Sequence, residues 1–428
     1  MVAAGSEPAE PRTRLARRLG LGDAVVIGLG SMIGAGVFAA FGPAAQAAGS
    51  GLLVGLGLAA AVAFANALSS AELAALYPQS GGTYVYGRER LGIFWGFLAG
   101  WGFVVGKTAS CAAMALTFGA YAAPSLARPL AIGAVVVLVG INYLGIDKTA
   151  NATRAIVAVV LASLALVVVA SLFGGEADFR RIAPLVGTGG VYGLLQAGGI
   201  LFFAFAGYAR IATLGEEVRD PKRVIPWAIP LALGITLIVY AVVAVSALAA
   251  VGADALAGSR SPLATGVAAG SLSSLEPAVR VGAAVASLGV LLSLLAGVSR
   301  TAFAMADNRE LPHWLAAVHP HYRVPHHAEL AIGAVVVAVV SVADVRSAIG
   351  FSSFAVLLYY AIANASALTL RRDERRWPRW ISAHGLVGCL VLAFALPVLS
   401  IVLGAAILAA GAATHLVVRR RPIVRDAA

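Results

Sequence analysis

The sequence predicts an all-α membrane protein of twelve transmembrane helices. Ten form a 5+5 inverted repeat with broken helices 1 and 6, and two more follow at the C-terminal end. Three observations carry this reading. Apolar residues make up 60% of the 428 residues and charged ones 12%, with a mean hydropathy of +0.90, a balance that only a bilayer solvates. Twelve apolar runs follow one another along the chain, most of them long enough to cross hydrocarbon as a helix. The first and sixth runs are both interrupted by glycine, and broken helices at matching places in two halves mark inverted repeats with a site between them.

The runs cover about 23–48, 51–76, 92–121, 129–145, 152–173, 190–214, 225–251, 279–306, 328–343, 347–370, 382–396 and 398–418. Gly, Pro or charge clusters bound each of the first ten, whereas Pro397 alone divides the last two. Residues 1–22 then form a polar cytoplasmic tail. The first repeat spans 23–185, the second 186–370, and 371–428 holds helices 11 and 12 with a cytoplasmic tail. The first run is too long and too glycine-rich for a signal peptide, so the tail is expected to stay uncleaved.

Charge sets the orientation. With the N-terminus inside, 23 of the 31 Lys and Arg residues fall in cytoplasmic gaps, among them Arg12, Arg88, Arg219, Arg371 and Arg419, and six fall outside. Lys and Arg are retained on the cytoplasmic side, so both termini are expected there, in the cell membrane. The net charge of +11 is therefore a topology signal with some attraction to anionic lipid. No basic run is interleaved with aromatics, so nucleic acid is not an expected partner.

Run 1 contains Gly28-Leu-Gly-Ser-Met-Ile-Gly-Ala-Gly-Val-Phe38. Glycine costs a helix about 1 kcal/mol relative to alanine, and backbone freed in hydrocarbon is tolerated where it lines a cavity or ligand. Two readings are open here. The stretch turns backbone groups toward something polar, or Gly30 and Gly34 are a small-xxx-small pair for helix packing. A dinucleotide fingerprint is excluded, because Ile33 stands where its third glycine belongs.

After run 2, Pro78, Gly81 and Gly82 predict a sharp turn, with Tyr77, Tyr84 and Tyr86 suited to the interface. Run 3 carries Lys107, fifteen residues beyond Gly92 and roughly 22 Å along a helix. At that depth its ammonium faces a polar cavity or partner, unless a long, tilted helix carries it to the outer headgroups. Run 6 holds Phe202, Phe203, Phe205 and Gly207 and ends in a charged loop with Glu216, Glu217, Asp220 and Pro221.

Gly-Ser-Met-Ile-Gly-Ala-Gly-Val-Phe in run 1, Glu72-Leu-Ala-Ala-Leu-Tyr-Pro-Gln-Ser-Gly-Gly-Thr-Tyr-Val-Tyr86, and Phe-Phe-Ala-Phe-Ala-Gly-Tyr through Glu-Glu-Val-Arg-Asp-Pro-Lys-Arg in run 6 together resemble the amino acid, polyamine and organocation transporter superfamily. The likeness continues through Gly297-Val-Ser-Arg-Thr-Ala-Phe-Ala-Met-Ala306 and Glu310-Leu-Pro312. Within the superfamily the chain most resembles bacterial relatives of the cationic amino acid transporters.

The resemblance implies a small-molecule amino acid substrate, with no cofactor. Its carboxylate would be held by amides of the run 1 break, at Gly34, Ala35 and Gly36, and its ammonium by carbonyls of Met32, Phe203 and Ala206, beside Gly207. Phe203 would be the gate. Many members have Ser or Thr where this chain has Ala35, and an acidic residue where it has Ala209. The helix 5 lysine that replaces a sodium ion in some members is absent near Ala158 and Val159. Lys107 then has two readings: a contact to the substrate side chain that disfavours Arg and Lys, or the proton carrier that couples transport.

Other features exclude competing classes. Cys111 and Cys389 lie within runs, so neither a structural disulfide nor a metal site is expected. His313, His319, His321, His326 and His327 crowd one loop without cysteine or acidic partners spaced for metal, and Arg371-Arg-Asp-Glu-Arg-Arg376 reads as a cytoplasmic anchor. An enzyme would need paired acids, a nucleophile or a metal motif within the runs, and none stands out. A secondary transporter is the expected function, with a channel or a sensor of the same fold as the alternatives.

Overall fold

The computed structural model describes residues 19–77, 81–145, 150–187, 189–208, 211 and 218–420. The N-terminal tail to residue 18, Pro78, Lys148, Ala209, Glu216, Glu217 and the last eight residues lie outside the described residues. Among the described residues the chain is almost wholly helical, and its one strand-type pairing is an isolated bridge between Leu19 and Val218. Nine helical stretches among the described residues are long and apolar enough to cross a membrane, and three shorter apolar helices accompany them, Leu21–Met32, His326–Val342 and Arg379–Phe394.

The helices in chain order are α1 (Leu21–Met32), α2 (Ala35–Ala48), α3 (Leu52–Leu76), α4 (Thr83–Leu91), α5 (Ile93–Ala122), α6 (Ala127–Tyr143), α7 (Ala150–Phe173) and α8 (Gly190–Phe205). They continue as α9 (Pro221–Gly258), α10 (Pro262–Ala268), α11 (Glu276–Asp307), α12 (His326–Val342), α13 (Val345–Leu368), α14 (Arg379–Phe394) and α15 (Val398–Arg420). Gly81 and Gly82 precede α4 with φ of 135° and 54°, the left-handed region that glycine enters without steric cost. Asp344 caps α13, its carboxylate accepting from the Ser347 amide at 2.7 Å.

Small residues set how closely these helices approach. α5 packs between α11 and α13, and α8 lies against α2 and α3. A Cβ on Gly106 of α5 would stand 2.9 Å from Ala355 Cβ on α13, and one on Gly55 of α3 would stand 2.8 Å from Ala197 Cβ on α8. In hydrocarbon such close backbone approach, with a few interhelical hydrogen bonds, replaces the hydrophobic drive available in water. The bonds here are Asn364 to Asn66 at 2.6 Å, Ser69 with Ser382 at 2.8 Å and Ser110 with Ser352 at 2.6 Å. Cys111 and Cys389 are buried free thiols on α5 and α14.

Glu72 near the end of α3 accepts from the backbone amides of Arg376 at 2.7 Å and Trp377 at 2.5 Å. It thereby fastens the loop before α14. Beside it, Arg90 of α4 pairs with Glu374 at 2.7 Å, and Arg88 of α4 pairs with Glu310 at 3.2 Å. Tyr84 also donates to Glu310, at 2.8 Å. The basic loops are thus pinned by acids from distant parts of the chain, which keeps α4 folded against the ends of the long helices.

Candidate functional site

Regular helix stops at Met32 and resumes at Ala35. Ile33 has φ −78° and ψ 77°, and Gly34 has φ −139° and ψ −149°, extended values open to any residue. Glycine is needed at 34 for room instead, because a Cβ there would drive into Val290 Cγ2. The same holds at Gly36, where a Cβ would lie 2.8 Å from the Ala204 Cα. Gly30 faces the other way, and its Cβ would meet Val157 at 2.7 Å. Gly30 thus packs against a neighbouring helix, whereas Gly34 lies close against Val290 of α11 at the edge of the cavity described below.

The second interruption lies beside the first. α8 ends at Phe205, a single 3-10 turn covers Ala206–Tyr208, and Gly207 abuts the Ser31 carbonyl so closely that no Cβ fits. Main chain meets main chain at this point.

Two tyrosine hydroxyls hold the carbonyls that these breaks release. Tyr240 of α9 sits between the Met32 carbonyl at 2.5 Å and the Ala204 carbonyl at 3.1 Å. Tyr360 of α13 donates to the Ala206 carbonyl at 3.2 Å. Both rings are buried, and both stack edge-on or tilted against α8 aromatics, Tyr240 on Phe205 at 5.2 Å and Tyr360 on Phe202 at 5.7 Å. A carbonyl left without a donor at this depth would cost about 1–3 kcal/mol.

A cavity of about 50 Å³ opens where the breaks meet. Its lining includes Ser31, Met32, Gly34, Ala35 and Gly36 from the first break and Phe203, Ala204 and Gly207 from the second. α5 adds Lys107, Ser110 and Met114, and α11 adds Val290 and Leu294. Seven of the eight positions singled out in the sequence thus line one space. Ala206 does not; it lies buried beside the lining, its carbonyl directed to Tyr360.

Lys107 is 8% exposed, and no ion-pair partner for it lies among the described residues. The first amides of α2 lack intrahelical carbonyls, as every helix start does, and carry the positive end of its dipole. The lining therefore offers donors for an anionic group, one fixed cation, and an apolar wall of Met114, Val290 and Leu294. It includes no Asp, Glu, His or Cys among the described residues.

Sequence reading passed over Tyr240, Tyr360, Met114, Val290 and Leu294. A lone tyrosine inside an apolar run, as Tyr240 is, was the available signal, because a buried hydroxyl needs a partner. The three apolar wall residues carried no local mark.

An all-helical bundle with a buried polar cavity at two backbone interruptions defines a multi-pass membrane protein of the transporter class. Residues 19–416 match the profile of the family described as amino acid permease. The chain belongs to that family, within the amino acid, polyamine and organocation superfamily. It is 63% identical over 423 residues to a Mycobacterium tuberculosis protein named an uncharacterized transporter, covering 98% of this chain and 96% of that one. It is 25% identical over 397 residues to the branched-chain amino acid permease of Bacillus subtilis, covering 87% and 84%. With human cationic amino acid transporter 4 it shares 27% over 402 residues, 87% of this chain and 62% of that longer protein.

Proposed function

We propose that the protein is a secondary active transporter that moves amino acids across the cytoplasmic membrane by alternating access, as a proton-coupled symporter or an exchanger. The observation that carries this is the cavity where the two helix interruptions meet, with the backbone of Gly34, Ala35 and Gly36 at the start of α2 on one side and Lys107 on the other. In this reading the amides bind the substrate carboxylate at the positive end of α2. The Phe203 carbonyl takes the ammonium, with Ala206 contributing less because its carbonyl already accepts from Tyr360, and the Phe203 ring covers the site. Met32 contributes less to the ammonium than its position suggests, because its carbonyl already accepts from Tyr240 and from the Gly34 amide at 2.8 Å. The chain is read as twelve spans, in repeats 23–185 and 186–370 followed by 371–428, with both termini cytoplasmic.

Lys107 supports a substrate whose side chain is neutral or acidic. A cationic side chain would meet an ammonium with no ion-pair partner among the described residues and an apolar wall, with no carboxylate in the described lining to offset the repulsion. The relatives include permeases named for branched-chain and for cationic amino acids, and identities of 25–27% leave the choice to the pocket.

Counterflow of labelled amino acids in proteoliposomes tests the reading. Accumulation of label against unlabelled internal amino acid is expected for a neutral or acidic substrate. Binding without movement, seen as a thermal shift with no counterflow, would indicate a sensor. Dissipative flux without counterflow would indicate a channel.

A further inference from the structure

Glu72 and Glu329 are both buried, 6% and 3% exposed, in opposite circumstances. Glu72 accepts from two fixed backbone amides, so its charge is met wherever the helices move together with that loop. Glu329 has one carboxylate oxygen, Oε2, buried with no hydrogen-bond partner among the described residues. It stands in the first turn of α12, at a seam where α5, α6 and α11 pack against that helix.

The groups that face it come from each of those elements. Ser299 on α11 and Asn142 on α6 are its polar neighbours, and Arg300 on α11 is the charge that acts on it. On α5, Cys111 lies within electrostatic reach of both Glu329 and Lys107. His326 stands one turn earlier on Glu329's own helix. The buried oxygen has no fixed donor to meet a charge on it, unlike the carboxylate of Glu72, and a shift of α12 against α11 would change which polar groups reach it. A buried ionisable residue on a helix of a membrane bundle is a candidate for a functional site, proton relays among them.

Resting on the transporter reading, we propose that Glu329 is the proton-binding site that couples amino acid movement to the proton gradient. The carboxylate takes one proton from water on one side in one conformation and returns it to water on the other side in the next. Only an O–H bond forms and breaks. Lys107 is then left to the substrate.

The test is amino acid uptake into proteoliposomes with and without an imposed pH gradient, alongside counterflow at equal pH. Wild type and E329D, which keeps a titrating carboxyl, are expected to respond to the gradient. E329Q is expected to lose that response and to retain counterflow. Gradient-driven uptake that persists in E329Q would overturn the proposal, as would wild-type uptake that ignores the gradient while counterflow is robust. Should E329Q fail to fold, N142L decides: loss of a neighbouring polar group moves the pH midpoint of uptake if Glu329 is the site, and an unmoved midpoint refutes it. If wild type shows no counterflow with any amino acid, the transporter reading itself fails, and the coupling proposal with it.

Discussion

The Tyr240 hydroxyl lies 2.5 Å from the Met32 carbonyl oxygen and 3.1 Å from that of Ala204. One side chain on α9 thus holds the released backbone of α1 and the last turn of α8 together. Replacing it with phenylalanine removes the one hydroxyl proton shared between the two buried carbonyls while keeping the ring, and leaves the Met32 carbonyl with only the Gly34 amide. Y240F is expected to lose about 1–3 kcal/mol of stability, read as a lower thermal unfolding midpoint in detergent, and to exchange more slowly in counterflow. An unchanged midpoint would show that water replaces the hydroxyl.

Lys107 separates two roles by one substitution. K107A is expected to change the substrate range in counterflow, admitting amino acids with cationic side chains that wild type rejects, because the repelling charge is gone. Retained exchange with the same substrates and a lost pH response would instead make Lys107 the proton carrier. That result would contradict the assignment of coupling to Glu329.

Glycines at the interruptions differ from glycines elsewhere. G207A would drive a Cβ into the Ser31 carbonyl, and G36A would set one 2.8 Å from the Ala204 Cα, backbone that cannot yield. Both are expected to abolish counterflow, G207A with loss of folded yield as well. At Gly57 of α3 an added methyl would have no neighbour within 4 Å, so G57A is expected to transport normally with a midpoint equal to or above wild type.

The Arg90–Glu374 pair carries a pH dependence whose sign is fixed. The Arg90 guanidinium, then the Arg371 backbone amide, hold the Glu374 carboxyl below its ordinary range. A carboxyl lowered on folding contributes stability that is present above its unfolded value and is lost as pH falls through the folded one. E374Q is expected to flatten this part of the acid limb of the unfolding midpoint, and added salt to shrink the difference between variant and wild type. Identical acid limbs at low salt would show that the pair contributes nothing.

What could be read from the sequence was what local pattern encodes. Apolar run length and composition gave an all-helical, multi-pass protein, and the three motifs gave the permease family. Glycine spacing drew attention to positions 34–36 and 207, which line one cavity. The rest depends on partners far apart in the chain. Tyr240 and Met32 are 208 residues apart, and no local signal joins them. Glu329 stands beside His326 and His327 at the start of a short run and looks like a boundary charge; its burial comes from α5, α6 and α11, which sequence order does not reveal. Gly34 was expected to act through backbone freedom, yet its dihedrals are ordinary and the space beside Val290 is what requires it.

The bare contact of Gly207 with Ser31 leaves no compliant layer between the two interrupted spans. In the alternating-access reading proposed above, a tilt in one would be handed directly to the other, as in a single rocker turning on one fulcrum. Diversification of cargo must then come from the far wall, where the bulk of Met114, Val290 and Leu294 can change without disturbing the pivot.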